Sequence, residues 1–268
     1  MSRKDQACAV VDANRGPLVD LSQRIHERPE LGFDEQFAAD QLTETLEGGG
    51  FSVERGAYDL PTAFAATCGE GGGPHVVLCC EYDALPEIGH GCGHNIIAAA
   101  GAGAGLALRP MVDSLGGRLT VLGTPAEELG GGGKIKLLER GAFADADVAM
   151  MVHPSVADVG WAPHIATTRI EVAMHGLAAH AAAAPWEGVN AVDAIVSAYS
   201  AVAALRQHVR QGEKVHGIIT NGGAAENIVP DLAEAVFQVR APNRRRLEPL
   251  LEKVLRCFEG PPPRPVAR

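Results

Sequence analysis

Residues 81–95 read Glu-Tyr-Asp-Ala-Leu-Pro-Glu-Ile-Gly-His-Gly-Cys-Gly-His-Asn. An apolar run, His75 to Cys80, leads into this stretch, and an Ala- and Gly-rich segment from Asn95 to about Leu108 leaves it. The pattern predicts a strand, a loop and a helix. In open α/β sheets such loops lie at the carboxyl ends of strands, where sites are built. The loop collects Glu81, Asp83, His90, Cys92 and His94. Gly89, Gly91 and Gly93 alternate with His90, Cys92 and His94, so the backbone can bend sharply while imidazole and thiolate turn toward one point. Cys, His and carboxylate together suit zinc. The same residues also fit a glycine loop that holds polar side chains without an ion.

The chain has 268 residues, room for one large or two modest domains. Hydrophobic residues make up 46% and charged ones 21%, the balance of a soluble globular protein. Aromatics are only 4%, so Ala, Val, Leu and Ile must fill the core. The net charge of −10 disfavours a nucleic-acid surface, and the one basic run, Arg244 to Arg246, reads as the exposed start of a helix. No apolar run reads as long enough for a bilayer, and the N-terminus has no apolar signal core. Six cysteines show no paired framework, which leads to a cytoplasmic expectation. Cys79 and Cys80 are adjacent on one strand, point to opposite faces, and cannot both serve one site.

Residues 1–15 are polar and expected to be loose. Apolar periodicity predicts helices over 17–27 and 34–47, stopped by Pro29 and by the glycines at 48–50. Short strands are expected near 51–55 and 62–68. Beyond the central loop come strands at 118–122 and 147–152, with a helix at 134–140 between them. The strands at 75–80, 118–122 and 147–152 each run into a loop carrying Cys, His or Glu. Alternating strands and helices imply an α/β fold with a mostly parallel sheet whose strand ends gather on one edge. After Trp161 the order becomes strand, helix, strand, strand, helix, at 167–174, 189–209, 215–220, 233–239 and 245–257. That order suits a separate small open-faced α/β sandwich. The expected domains are 1–162 and 163–259, followed by a proline-rich unstructured tail, 260–268.

Two further signals stand out. In Glu127-Glu128 one carboxylate could bind a metal while its neighbour acts as general base. Acids before a helix start are also common for electrostatic reasons alone. His153 follows an apolar strand, a position that surface histidines often take. His180 lies in the second half, within His175-Gly-Leu-Ala-Ala-His-Ala181, and could be a turn residue. Gly130 to Lys134 looks like a phosphate loop, but Glu128 and Ile135 occupy positions where that motif needs Gly and Ser or Thr. Gly101, Gly103 and Gly105 sit within a helix rather than at a strand exit, which argues for close helix packing.

Six motifs together resemble the zinc-dependent aminoacylase and carboxypeptidase family of co-catalytic metallopeptidases. They are His26 to Leu31, Glu81 to Asn95, Gly123 to Lys134, Met151 to Ser155, His180 to Asn190 and Asn221 to Pro230. The likeness is to the amidohydrolase branch and, more narrowly, to its Xaa-Arg dipeptidase group. The resemblance implies a zinc-exopeptidase-like catalytic domain with an inserted lid domain, two zinc ions and a homodimer formed through the lid. Cys92, His94, Glu128 and His153 match the metal ligands, Glu127 the general base and Asp83 an acid that orients a ligand. His180 matches a lid histidine that stabilises the oxyanion across the dimer interface, and Asn227 a substrate-holding residue. The implied reaction is hydrolysis of an amide bond in a dipeptide or N-acyl amino acid, with a basic C-terminal residue suggested by that group. No nucleic-acid or membrane partner is expected.

Family members continue past residue 268 and supply a final histidine ligand from that part. The match stops near Glu259, so a truncated chain is expected, poor in activity and lacking part of the sheet. The alternative expectation is an impaired fragment that only dimerises or binds.

Overall fold

Parallel pairing of three strands determines where the site forms. The structure, a computed structural model, describes residues 1–130, 132–160 and 164–259. The chain divides into two units, Met1–Asp158 and Val159–Arg268. The expected tail at 260–268 and the expected boundary at residue 162 lie outside the described residues.

The first unit runs α1 (Arg3–Ala13), α2 (Arg15–Glu27), α3 (Gln36–Gly48), β1 (Ser52–Arg55), β2 (Phe64–Cys68), β3 (His75–Cys80), α4 (His94–Leu115), β4 (Arg118–Gly123), α5 (Gly133–Glu139) and β5 (Val148–Met150). The sheet order is β1-β2-β4-β3-β5. β3 pairs in parallel with β4, where Cys80 faces Gly123, and with β5, where Leu78 faces Met150. β1 and β2 are antiparallel, so the sheet as a whole is mixed. The carboxyl ends of β3, β4 and β5 therefore open onto one edge.

Layers cover both faces. Leu21, Ile25, Leu42, Leu46, Phe64, Cys80 and Val121 share one apolar cluster with α4, while Cys79, Val77, Leu122 and Leu137 belong to another. The two neighbouring cysteines thus serve opposite faces, as strand alternation requires. The α4 glycines are small for a reason. A Cβ on Gly101 would lie 2.2 Å from Cys80 Sγ, and one on Gly105 would lie 2.5 Å from Val121 Cγ2. The helix lies so close to the sheet that a methyl group there would displace it.

Four sequence expectations need correcting. Residues 1–15 are not loose, because α1 is helical without any buried residue. A reciprocal cap starts it: Ser2 Oγ accepts from Asp5 N, and the Asp5 carboxylate accepts from Ser2 N. α4 runs 22 residues, well past Leu108 and through Pro110. By length and composition it could cross a bilayer, contrary to the expectation that no run is long enough; 56% of its most apolar stretch is buried in the protein. β5 has three residues rather than six, as an edge strand with a single neighbour.

The second unit contains β6 (Ala166–His175), β7 (Ala179–His180), α6 (Ala191–Leu205), β8 (Lys214–Asn221), β9 (Ile228–Val229), β10 (Leu232–Ala241) and α7 (Arg244–Arg256). β10 lies between β6 and β8, antiparallel to both. Ile195 and Val202 of α6, Phe237 and Val239 of β10, and Leu250 and Val254 of α7 form its core. Asn190 and Asn243 cap the two helices through their side-chain oxygens. β7 and β9 make a separate two-stranded ribbon.

Candidate active site

His94 opens α4 immediately after the glycine loop, with Gly93 at φ 78° as the helix cap. A left-handed cap is easiest for glycine. The His94 side chain is 1% exposed, and its Nδ1 lies 3.0 Å from Asp83 Oδ1 and 2.9 Å from the Asp83 carbonyl oxygen. Both Asp83 contacts are acceptors, so Nδ1 carries a proton. Asp83 Oδ2 in turn accepts from Glu128 N at 2.8 Å. One aspartate from the first loop thus orients the histidine and ties down the second loop.

The other face of the imidazole meets carboxylates. Nε2 lies 3.5 Å from Glu81 Oε2, 3.8 Å from Glu128 Oε1 and 3.9 Å from Glu127 Oε2. Among the described residues, Glu81 Oε2 and Glu128 Oε1 are buried and have no hydrogen-bond partner. Lys134 pairs with the other oxygen of Glu81. His153 presents its ring edge-on to His94, with centroids 6.2 Å apart. Ligand atoms of Glu81, His94 and His153 lie within 4.8 Å of one another, as do those of His94, Glu127 and Glu128. Cys92 is exposed and lies near Glu128.

The charges respond to this crowding. The neighbouring Glu128 carboxylate, then burial and other nearby carboxylates, push the Cys92 thiol up to about 11. Burial and the charges of Glu81 and Glu128 raise Glu127, against the opposing pull of Lys134 and His94. Burial works against the charged form of Asp83, but the His94 bond and the Glu128 amide outweigh it and leave Asp83 lowered. Burial also opposes charge on His94, yet Asp83, Glu81 and Glu128 hold its pKa above the usual value.

Four carboxylates converge on one imidazole, with Lys134 the added cation, and two buried oxygens point into the cluster without partners. Unpaired buried charge of this kind is costly, and a divalent cation is what such a donor set accommodates. Imidazole, thiol and carboxylate donors together fit zinc.

The loops bring together His94, Glu127, Glu128, His153 and Asp83, while Cys92, exposed near Glu128, falls outside both groups of ligand atoms. His90 is placed elsewhere: it is buried with its ring 6.2 Å from that of His26. Lys134 is an addition: the sequence held it at the end of the Gly123 to Lys134 motif and in a false phosphate loop, without a role in the site.

His180 and Asn227 belong to the second unit and are neighbours there. His180 pairs with Ile228 across the β7–β9 ribbon, and Ala181 N donates to the Asn227 carbonyl oxygen at 3.0 Å. His180 Nδ1 accepts from the amides of Ala182 and Ala183 at 3.2 and 3.1 Å. A ring nitrogen that accepts carries no proton, so Nε2 is left as the N–H donor.

Residues 165–264 match the peptidase dimerisation domain. The chain is 43% identical over 271 residues to the Xaa-Arg dipeptidase of Mus musculus, a match covering 96% of this chain and 62% of that protein. The chain therefore spans under two thirds of that relative's length. It is 30% identical over 294 residues to the N-acetyl-L-cysteine deacetylase of Bacillus subtilis, covering 92% of this chain and 68% of that protein. A dinuclear metal-binding peptidase of Bacillus subtilis shares the fold, with a TM-score of 0.69 at 22% identity over 93% of this chain and 70% of that one.

Proposed function

The chain belongs to the M20 peptidase family, and from that premise we propose that it is a metal-dependent dipeptidase or amidohydrolase, with zinc as its metal. The observation that carries this reading is the pair of partnerless buried oxygens, Glu81 Oε2 and Glu128 Oε1, facing the Nε2 of an aspartate-oriented His94. Cys92, His94, Glu128 and His153, joined by Glu81, would hold the metal, and a dinuclear centre suits so many donors. When bound, the metal polarises the scissile carbonyl and makes water acidic enough to ionise near neutrality.

The protein's own groups do the rest. Asp83 keeps the proton of His94 on Nδ1, so Nε2 offers its lone pair to the metal site. Glu127 is 44% exposed, which leaves its carboxylate reachable from solvent. It takes a proton from the attacking water as the water oxygen bonds to the amide carbon. It then delivers that proton to the leaving nitrogen as the C–N bond breaks. His180, with its proton on Nε2, donates to the developing oxyanion, and Asn227 beside it holds the substrate. These two act on the site of a partner copy, in a homodimer formed through the second unit. Dipeptides ending in Arg are the substrates favoured by the mouse relative's name, and N-acyl amino acids are the second class. All six cysteines are free thiols, which supports a reducing, cytoplasmic setting.

The test is to load residues 1–268 with zinc and measure metal per chain, oligomeric state and turnover of a dipeptide ending in Arg alongside N-acetylcysteine. Bound zinc with hydrolysis of either substrate supports the proposal. A dimer that binds zinc but hydrolyses nothing would contradict the enzymatic reading in favour of a dimerising fragment. Failure to bind zinc would remove the metal reading as well.

A further inference from the structure

The segment between α2 and α3 ends in Glu35, which takes no part in the chemistry described so far. Glu35 is fully buried, yet it is a carboxylate. Its Oε1 accepts from the backbone amide of Ala126 at 2.8 Å, across 91 positions of sequence. Ala126 is the residue before Glu127, and its φ of 53° is left-handed, a conformation uncommon for a residue with a Cβ. Such a backbone persists only where its surroundings over-determine it.

Several contacts do so here. Ala126 is itself 1% exposed. Its carbonyl oxygen accepts from Gly133 N at 3.2 Å. A Cβ on Gly32 would come within 2.9 Å of Ala126 Cβ, so the same segment also presses on this turn. On the other loop the Glu30 carbonyl oxygen accepts from Ala84 N at 2.8 Å, next to Asp83. Burial pushes the Glu35 carboxyl upward, and among the described residues its second oxygen, Oε2, is buried without a hydrogen-bond partner.

We infer that Glu35 is a positioning residue: its carboxyl holds the Ala126 amide and so fixes the backbone from which Glu127 projects. The inference rests on Glu127 as general base. Glu128 is not held in the same way, because its amide is bound separately by Asp83 Oδ2. The clamp therefore bears on the base more than on the metal ligand that follows it.

Two variants separate geometry from charge. Glu35→Gln keeps an acceptor oxygen for Ala126, and Glu35→Leu keeps the bulk without an acceptor. Amide hydrogen exchange of the peptide containing Ala126, zinc content, kcat and KM are read together on the full chain. In the parent, the Ala126 amide should exchange at least tenfold more slowly than an unprotected loop amide. Glu35→Leu should remove that protection and lower kcat at least tenfold, with KM within about twofold and zinc content unchanged. Glu35→Gln should stay within about threefold of the parent throughout.

An unprotected Ala126 amide in the parent would overturn the inference, even if Glu35→Leu failed to fold. So would Glu35→Gln being as impaired as Glu35→Leu, since charge rather than the clamp would then matter. Glu127→Gln turning over at the parental rate would remove the base assignment, and with it the clamp's catalytic role. If the parent itself hydrolyses nothing, the proposed function fails, while the exchange data still decide whether the clamp exists.

Discussion

His75 and His94 are both buried, lie at opposite edges of the same sheet, and have acids beside them. Their surroundings differ in one respect. His75, at the start of β3, has Nε2 2.8 Å from Thr120 Oγ1 and Nδ1 3.2 Å from the Asp145 carbonyl oxygen. Arg118 lies 3.0 Å from the same Nδ1 and pairs with Asp145, and Asp147 accepts from His75 N. Among the described residues each buried polar atom there has a partner: Arg118 pairs with Asp145, and a backbone amide holds Asp147. At His94 the acids outnumber the cations, and two oxygens are left over. A satisfied network stiffens a fold, whereas an unsatisfied one of this sign calls for a cation. Burial alone does not separate a structural histidine from a ligand; the accounting of partners does.

Breaking the two networks should have opposite consequences. At the His94 edge, Glu127→Gln removes a base without removing a proposed ligand. Turnover should fall by about 10²–10⁴-fold, with zinc content and melting temperature close to the parent's. Near-parental turnover would show that another group takes the proton. At the other edge, His75→Leu strands the Thr120 hydroxyl and the groups around Arg118. It should cost about 1–3 kcal/mol of stability, read by chemical denaturation, and leave zinc binding unchanged. Loss of zinc binding in that variant would dissolve the distinction between the edges.

A smaller effect sharpens the contrast through pH. His94 has a raised pKa when folded and metal-free, so its stabilising contribution is complete below its ordinary value of 6.5 and fades as pH rises through the folded value. Asp83 is lowered, so its contribution is complete above 3.8 and fades as pH falls through its folded value. The pair should therefore support the metal-free chain best between those two ordinary values. Zinc needs a neutral imidazole, so the thermal stabilisation it adds should grow with pH over the range where the metal-free chain weakens. A zinc-induced shift that shrinks as pH rises above 6.5 would contradict the assignment of His94 as a ligand.

Much of this architecture is legible in the amino-acid sequence. The apolar run His75 to Cys80 is β3 to the residue, and the glycine loop after it does deliver His94 and Asp83 to the edge. Local signals suffice there, because strand periodicity and loop glycines are short-range properties. The expectation of a loose segment at residues 1–15 fails because α1 buries nothing and so has no apolar period, although Ser2 and Asp5 carry its cap signal. β5 is shorter than its apolar run because pairing, not hydrophobicity, limits an edge strand. Lys134 against Glu81 and Glu35 against Ala126 join positions 53 and 91 apart. Contacts of that span leave no local pattern, so the brace behind the base emerges only from the fold.

The most direct measurement is a calorimetric zinc titration at neutral pH of three chains: the parent, His94→Gln and His75→Gln. The partner accounting predicts that the parent and His75→Gln bind zinc with the same affinity, and that His94→Gln binds at least tenfold more weakly. Equal binding by His94→Gln and the parent, or equal weakening by both substitutions, would contradict it.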